Sequence, residues 1–102
     1  MATAAKTVYS HITKDPQVCG GRACIDGTRI RVMDIVGLKQ QAYSAEKMLE
    51  AYPSLNLAQV HAALSYYYQN PDEISAAFEE DREIAGEIEH DRAEFFAKRS
   101  SP

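Results

Sequence analysis

Three helix-start signals follow one another through the middle of the chain, at Ser44, Asn56 and Asn70-Pro71, and a helix-stopping proline, Pro53, falls between the first two. A polar side chain just before a helix accepts one of the N–H groups that the helix leaves unpaired, whereas a proline in a helix interior breaks it. This punctuation rules out one long helix through residues 44–70 and predicts a series of short ones. Ser44 has Tyr43 before it and Met48 placed to close a hydrophobic staple, and the helix it starts stops near Tyr52. Asn56 caps the next helix, with Gln59 completing a capping box and Leu55 placed to staple onto Val60. Leu57, Val60, Leu64 and Tyr67 then describe one apolar stripe. Asn70-Pro71-Asp72-Glu73 repeats the start logic: a cap, proline at the first helical position, and acids in the first turn. The last helix is expected to run to about Lys98.

Ahead of these helices the pattern has a different period. Gly20-Gly21 suits a two-residue turn, with Val18 on one side and residues 23–25 on the other, so a short hairpin is expected over residues 17–25. Asp26-Gly27 makes a second turn. Residues 28–32 alternate strictly, putting Thr28, Ile30 and Val32 on one face of a strand and Arg29 and Arg31 on the other. Val32, Ile35 and Val36 then recur at helical spacing, which predicts a first helix to about Gln41. The expected fold class is mainly α: a small N-terminal β-hairpin, a three-helix helix-turn-helix bundle, and a long acidic C-terminal helix. The chain divides into a loose arm over residues 1–11, the hairpin and bundle over 12–70, and the last helix over 71–102.

At 102 residues there is room for one small domain. A domain of this size buries only about 60–70% of its unfolded surface, which favours a homodimer that hides more. No apolar run approaches the ~20 residues of a membrane span. The opening residues MATAAKTVYSH lack the apolar centre of a signal peptide, and two cysteines without an export signal point to the reducing cytoplasm.

The formal net charge of −4 conceals an asymmetry. Residues 1–50 carry seven cations against five anions, and residues 51–102 carry four cations against ten anions. A nucleic acid would therefore meet the first half and a basic or amphipathic partner the second.

The segment CGGRACIDGTRIRV concentrates glycine, arginine and cysteine, a composition that bears on three chemistries. A nucleotide loop needs a lysine behind its glycines to reach the terminal phosphates, and here threonine follows Gly27. Structural zinc needs two tight ligand pairs, whereas Cys19 and Cys24 form one loose pair and His11, His61 and His90 are scattered. A redox pair remains open if the two cysteines approach closely enough. No serine or cysteine stands in a nucleophile motif, and the acids of the second half are spread along a helix. The expectation is therefore no enzyme, no catalytic residue, no metal and no cofactor.

Two short helices joined by a turn at residues 53–55 form the layout of a helix-turn-helix unit. In that layout the helix after Asn56 lies in the major groove. Asn56 and Gln59 suit adenine, because a side-chain amide bonds that base bidentately, and His61, Ala62, Ser65 and Tyr66 would complete the surface. Arg29, Arg31, Lys39 and Lys47 would hold phosphates. Against this, no lysine or arginine occurs between Lys47 and Arg82, although phosphate contacts dominate affinity for DNA.

The segment from Ile12 to Tyr68 resembles the prokaryotic domain-of-unknown-function family 433. The resemblance rests on Asp15-Pro16, Gly20-Gly21, Gly27-Thr28-Arg29-Ile30, Tyr52-Pro53 with Leu55, and Ala63-Leu64 followed by tyrosines. It implies a homeodomain-like helix-turn-helix behind a small hairpin, and the role of a DNA-binding antitoxin that neutralises a PIN-like ribonuclease toxin. Three positions depart from the family pattern: Ala23 and Arg31 replace prolines, and Ala42 replaces the glycine after the first helix. If Ala42 adopts a left-handed cap, it costs roughly 1 kcal/mol relative to glycine. The last helix keeps Ile74, Phe78, Ile88 and Phe95 as its main apolar contacts for a twin subunit or a toxin. The competing expectation is an interaction or dimerisation module that binds no DNA.

Overall fold

The computed structural model describes the backbone of residues 5–6 and 9–100 and the side chains of residues 9–86. The molecule is mainly α, with a small antiparallel sheet in front of four helices. Strands β1 (Ala5–Lys6), β2 (Ile12–Lys14) and β3 (Cys24–Ile25) lie in that order, Ala5 opposite Lys14 and Ile12 opposite Ile25. Helices α1 (Val32–Gln40), α2 (Ala45–Ala51), α3 (Leu57–Gln69) and α4 (Pro71–Ser100) follow.

The hairpin is wider than the glycine pair predicts. Cys24 pairs with Thr13, and the chain between β2 and β3 makes two consecutive turns. The first is closed by Asp15, whose carbonyl accepts from the Val18 N–H at 2.9 Å. The second is a 3-10 turn over Cys19–Gly21, with φ of 54° at Cys19, 65° at Gly20 and 82° at Gly21. Three left-handed residues in a row coil the chain into one tight turn, in which the Gly21 N–H donates to the Val18 carbonyl at 3.1 Å, and β3 then pairs with β2 instead, so residues 17–25 form no hairpin of their own.

Residues 28–32 also depart from the alternating strand. Thr28 Oγ1 donates to the Ile25 carbonyl and accepts from the Ile30 N–H, which bends the chain on itself. What survives is the Asp26-Gly27 turn, with Gly27 at φ 79°, and one bridge between Cys24 and Arg31. Strands this short are marginal alone and need a packed face. Ile12 and Ile25 supply it, both buried against the helices.

The core is built around α1. Val32, Ile35 and Val36 are fully buried and meet Val60, Ala63 and Tyr66 of α3, Met48 of α2 and Ile74 of α4. The helix starts are as expected at two places. Ser44 Oγ accepts from the Lys47 N–H at 3.1 Å, and Asn56 and Gln59 cap each other reciprocally at 2.9 Å each. At the third start Asn70 does something else: its side-chain amide donates to the Tyr66 carbonyl, so it closes α3 and does not cap α4. Ala42 takes the left-handed conformation that its position predicts, at φ 66°.

The stripe on α3 is rotated from the expected one. Leu57 is 39% exposed, Leu64 and Tyr67 are half-buried, and Val60, Ala63 and Tyr66 face the core. The small Ala63 side chain admits a neighbouring helix, and the Tyr66 hydroxyl donates to the Glu73 carboxylate at 2.8 Å. A polar tip with a partner removes the objection to burying a tyrosine.

Candidate nucleic-acid interface

The arginines of CGGRACIDGTRIRV are divided between two tasks. Arg29 follows the Gly27 turn and is exposed, its carbonyl accepting from the Cys19 thiol at 3.2 Å. Arg31 is not free on an outer face. Its guanidinium donates to Asp34 at 2.8 Å and lies 3.7 Å from Asp81, while its N–H donates to the same Asp34 carboxylate. The alternation of residues 28–32 fails here because Arg31 is already the residue that starts α1, where the Asp34 carboxylate is within reach.

Arg22, which sequence reasoning passed over as a functional residue, is drawn in further. It donates to Asp81 at 2.7 Å and to Glu80 at 3.0 Å, with Met33 Sδ at 3.2 Å. Both guanidiniums are held above the ordinary arginine range, Arg22 by its hydrogen bond to Asp81 and Arg31 by its hydrogen bond to Asp34. These ion pairs fasten the hairpin segment to α4 across 58 and 59 positions of sequence. The charge asymmetry between the halves was the only sequence signal of this latch.

A second polar cluster lies beside it. Glu73 accepts from Lys14 Nζ at 2.7 Å and from the Tyr66 hydroxyl, joining β2, α3 and α4. Tyr9 packs edge-on against Tyr66 with ring centroids 4.9 Å apart. Lys14 is raised above its ordinary value by the bond to Glu73, and Tyr66 by burial first and Glu73 second. Tyr66 therefore belongs to the interior, not to a DNA-facing surface.

What α3 does present outward is uncharged. Leu57, Ala58, His61, Ser65 and Tyr68 are exposed, and Ala62 is half-buried. Asn56 and Gln59 use their amide oxygens on each other's backbone N–H groups, so neither offers the acceptor and donor together that bidentate adenine contact requires. Two exposed lysines stand on neighbouring helices. Lys39, in the last turn of α1, lies 5.5 Å above the Tyr68 ring, and Lys47, in the first turn of α2, lies 4.7 Å above the Tyr43 ring. The structure thus brings Lys39 against α3 itself and seats Lys47 over Tyr43, the residue before the Ser44 cap of α2. It leaves Arg29 out on the hairpin side and withdraws Arg31.

On α4, Ile74 is buried, and Ala77 and Phe78 pack partly against the core. The side chains from Arg82 to Gly86 are all exposed, including Ile84 at 53%. The expected contacts Ile88 and Phe95 lie outside the described side chains. Ile74 is an intramolecular core residue, which removes it as a partner contact, and Phe78 is largely used the same way. Among the described residues, no three His, Cys, Asp or Glu side chains converge as metal ligands, and no helix is long and apolar enough to cross a membrane.

Comparison with known proteins centres on this same unit. A model of the family described as protein of unknown function (DUF433) matches residues 12–67, from β2 through most of α3. The chain belongs to the DUF433 family. A crystal structure of a DUF433 member from Anabaena variabilis has 43% identity and a TM-score of 0.60, covering 74% of this chain and 68% of that one. An uncharacterized protein, y4eO of Sinorhizobium fredii, is 37% identical over 60 residues, 59% of this chain. Those residues span only 27% of that relative. The match to the DUF433 family model ends before α4, the helix that carries Glu80 and Asp81.

Proposed function

We propose that this DUF433 protein is a DNA-binding regulator of the helix-turn-helix kind, with α3 as its reading helix and α4 as its contact for a protein partner. One observation carries the reading: α3 is locked on its inner side by α1 and capped at its entrance, while its outer face stays uncovered beside an exposed lysine. A rigid helix presented after a short turn is what major-groove reading needs. In this arrangement Ala58, His61 and Ser65 meet base edges, and Lys39, Lys47 and Arg29 hold phosphates. Asn56 and Gln59 support the surface by fixing the first turn. The resemblance to antitoxins adds the partner, a PIN-like ribonuclease toxin, and the acidic sequence of α4 suits a basic surface on it.

The test is fluorescence anisotropy with labelled DNA from upstream of the protein's own gene at two salt concentrations. Binding that falls steeply with salt is expected, and each lysine changed to alanine should reduce the slope by roughly 0.9. Absence of binding at low salt would overturn the DNA reading. The reading as a pure interaction module has its own support: α3 carries no cation, and Leu57 and Tyr68 are large apolar groups exposed on it. That reading expects partner capture to survive His61→Ala and fail with Leu57→Ala and Tyr68→Ala.

A further inference from the structure

The contacts between the hairpin segment and α4 have the form of an anion site with an anion already in it. Backbone bonding sets Arg22 beside Arg31: the Ala23 carbonyl accepts from the Val32 N–H at 2.9 Å, and Cys24 bridges to Arg31. The two guanidiniums converge on the Asp81 carboxylate, with Oδ1 2.7 Å from Arg22 Nη1 and Oδ2 3.7 Å from Arg31 Nη1. The other arm of the Arg22 fork donates to Glu80 Oε2 at 3.0 Å. A guanidinium fork matches phosphate as well as it matches carboxylate. The arginines are the inner members of the cluster, with side chains 22% and 30% exposed, and the acids are the outer ones, Asp81 at 42% and Glu80 at 67%. An open groove of about 300 Å³ runs beside them, lined in part by Gly20, Gly21, Arg22 and Glu80, so Arg22 is reachable from solvent.

We propose that Arg22 and Arg31 form a binding site for the oxyanions of a polyanion, the phosphates of DNA on the reading above, and that Glu80 and Asp81 of α4 occupy it as an intramolecular stand-in. The proposal rests on that reading for the identity of the polyanion and adds a masked contact to it. Arg29 belongs to the same surface. Cys19, whose carbonyl accepts from the Arg22 N–H at 3.2 Å, donates its thiol to the Arg29 carbonyl at 3.2 Å. An exposed arginine thus stands next to a masked pair. Exchange of carboxylate for phosphate turns the two outer acids toward solvent, while Arg31 keeps its bonds to Asp34. Ion pairs this exposed are individually weak, so a ligand that brings several phosphates at once displaces them. By the same linkage, a cationic partner that takes up Glu80 and Asp81 unmasks the arginines.

The experiment compares the wild-type protein with the double variant Glu80→Gln, Asp81→Asn. It follows anisotropy with a labelled duplex of unrelated sequence across a salt series, and elution from immobilised heparin. The double variant should bind about tenfold more tightly at low salt, with a salt slope steeper by about 0.9, the equivalent of one further phosphate. Arg22→Ala should be silent in the wild type, where Arg22 is occupied, and should remove the gain from the double variant. Asp72→Asn with Glu83→Gln removes the same charge from exposed positions outside the latch and should leave the slope as in the wild type. A slope equal in the double variant and the wild type, or a gain that survives Arg22→Ala, would overturn the proposal. Heparin separates this failure from that of the DNA reading. An Arg22-dependent shift to later elution without any duplex binding upholds the masked site and sinks DNA as its ligand. Hydrogen exchange of the wild-type protein supplies a readout that a misfolded variant does not touch. Saturating heparin should speed exchange of the α4 amides around Glu80 and Asp81, and unchanged or slower exchange there would refute the masking.

Discussion

Ala42 shows how a single residue can be read and then priced. The end of α1 demands a left-handed residue, the position holds alanine at φ 66°, and the Cβ is strained there. Ala42→Gly should therefore raise stability by about 1 kcal/mol, measured as a shift in the urea midpoint with an unchanged slope. No change would mean that the strain is relaxed elsewhere. The alkaline behaviour of Tyr66 is a second residue-scale consequence. Tyr66 and Lys14 both have pKa values raised in the folded protein, from ordinary values of 10.0 and 10.5. A raised folded value means that the native state holds its proton more tightly. Their stabilising contribution is thus complete below about pH 10 and is lost as pH climbs through the folded values. Tyr66→Phe should flatten the fall in stability between pH 9 and 11, followed by denaturant titration at each pH; an unaltered fall would assign it to other groups.

At the scale of elements, the latch between the hairpin segment and α4 is the feature with most consequence. Asp81 accepts from Arg22 and lies near Arg31, so one carboxylate serves two cations of the CGGRACIDGTRIRV segment. Its side chain is 42% exposed, so solvent screening keeps the contribution small. Asp81→Asn should cost about 1 kcal/mol or less, and the loss should shrink at high salt. Hydrogen exchange should locate the loosening in the first three turns of α4. Loosening confined to the free end of the helix would contradict the latch. The rotated stripe on α3 belongs to this scale too. Periodicity predicts that a stripe exists but cannot choose between two adjacent stripes when both contain apolar residues. Ala63 and Tyr66 won because α1 needs close approach on one side and Glu73 waits for the hydroxyl on the other.

For the molecule as a whole, α4 divides at about Arg82. Before it, Ile74 and Phe78 belong to the core and Glu80 and Asp81 to the latch; from Arg82 to Gly86 every side chain is exposed. At 1.5 Å per residue, a helix of 30 residues extends about 45 Å, well beyond a body of this size. A chain ending after Arg82 should keep its thermal midpoint within a few degrees by circular dichroism yet lose any partner that binds α4. Unfolding of the shortened chain would show that the distal helix is part of the stable unit. Cutting before Glu80 would also remove the latch and confuse the two effects.

The elements themselves were legible in the residues. Ser44, Pro53, the Asn56 and Gln59 box, and Pro71 act on their own neighbours within one turn, so four helices and their order could be read without knowing what they pack against. The hairpin was legible as a tendency, but its register was not. Gly20-Gly21 permits several left-handed turns, and the choice fell to Ile12 and Ile25 reaching the core together. The candidate interface divides in the same way. That Arg22 and Arg31 are cations is local, but that they meet Glu80 and Asp81, and so leave Arg29, Lys39 and Lys47 as the available charges among the candidate residues, depends on α4 folding back across the hairpin segment. Capping, turn and helix-breaking chemistry are short-range and can be read from a handful of adjacent residues. Which face of a helix is buried, and which charge is neutralised, depends on groups far apart in the chain, and only packing brings them together.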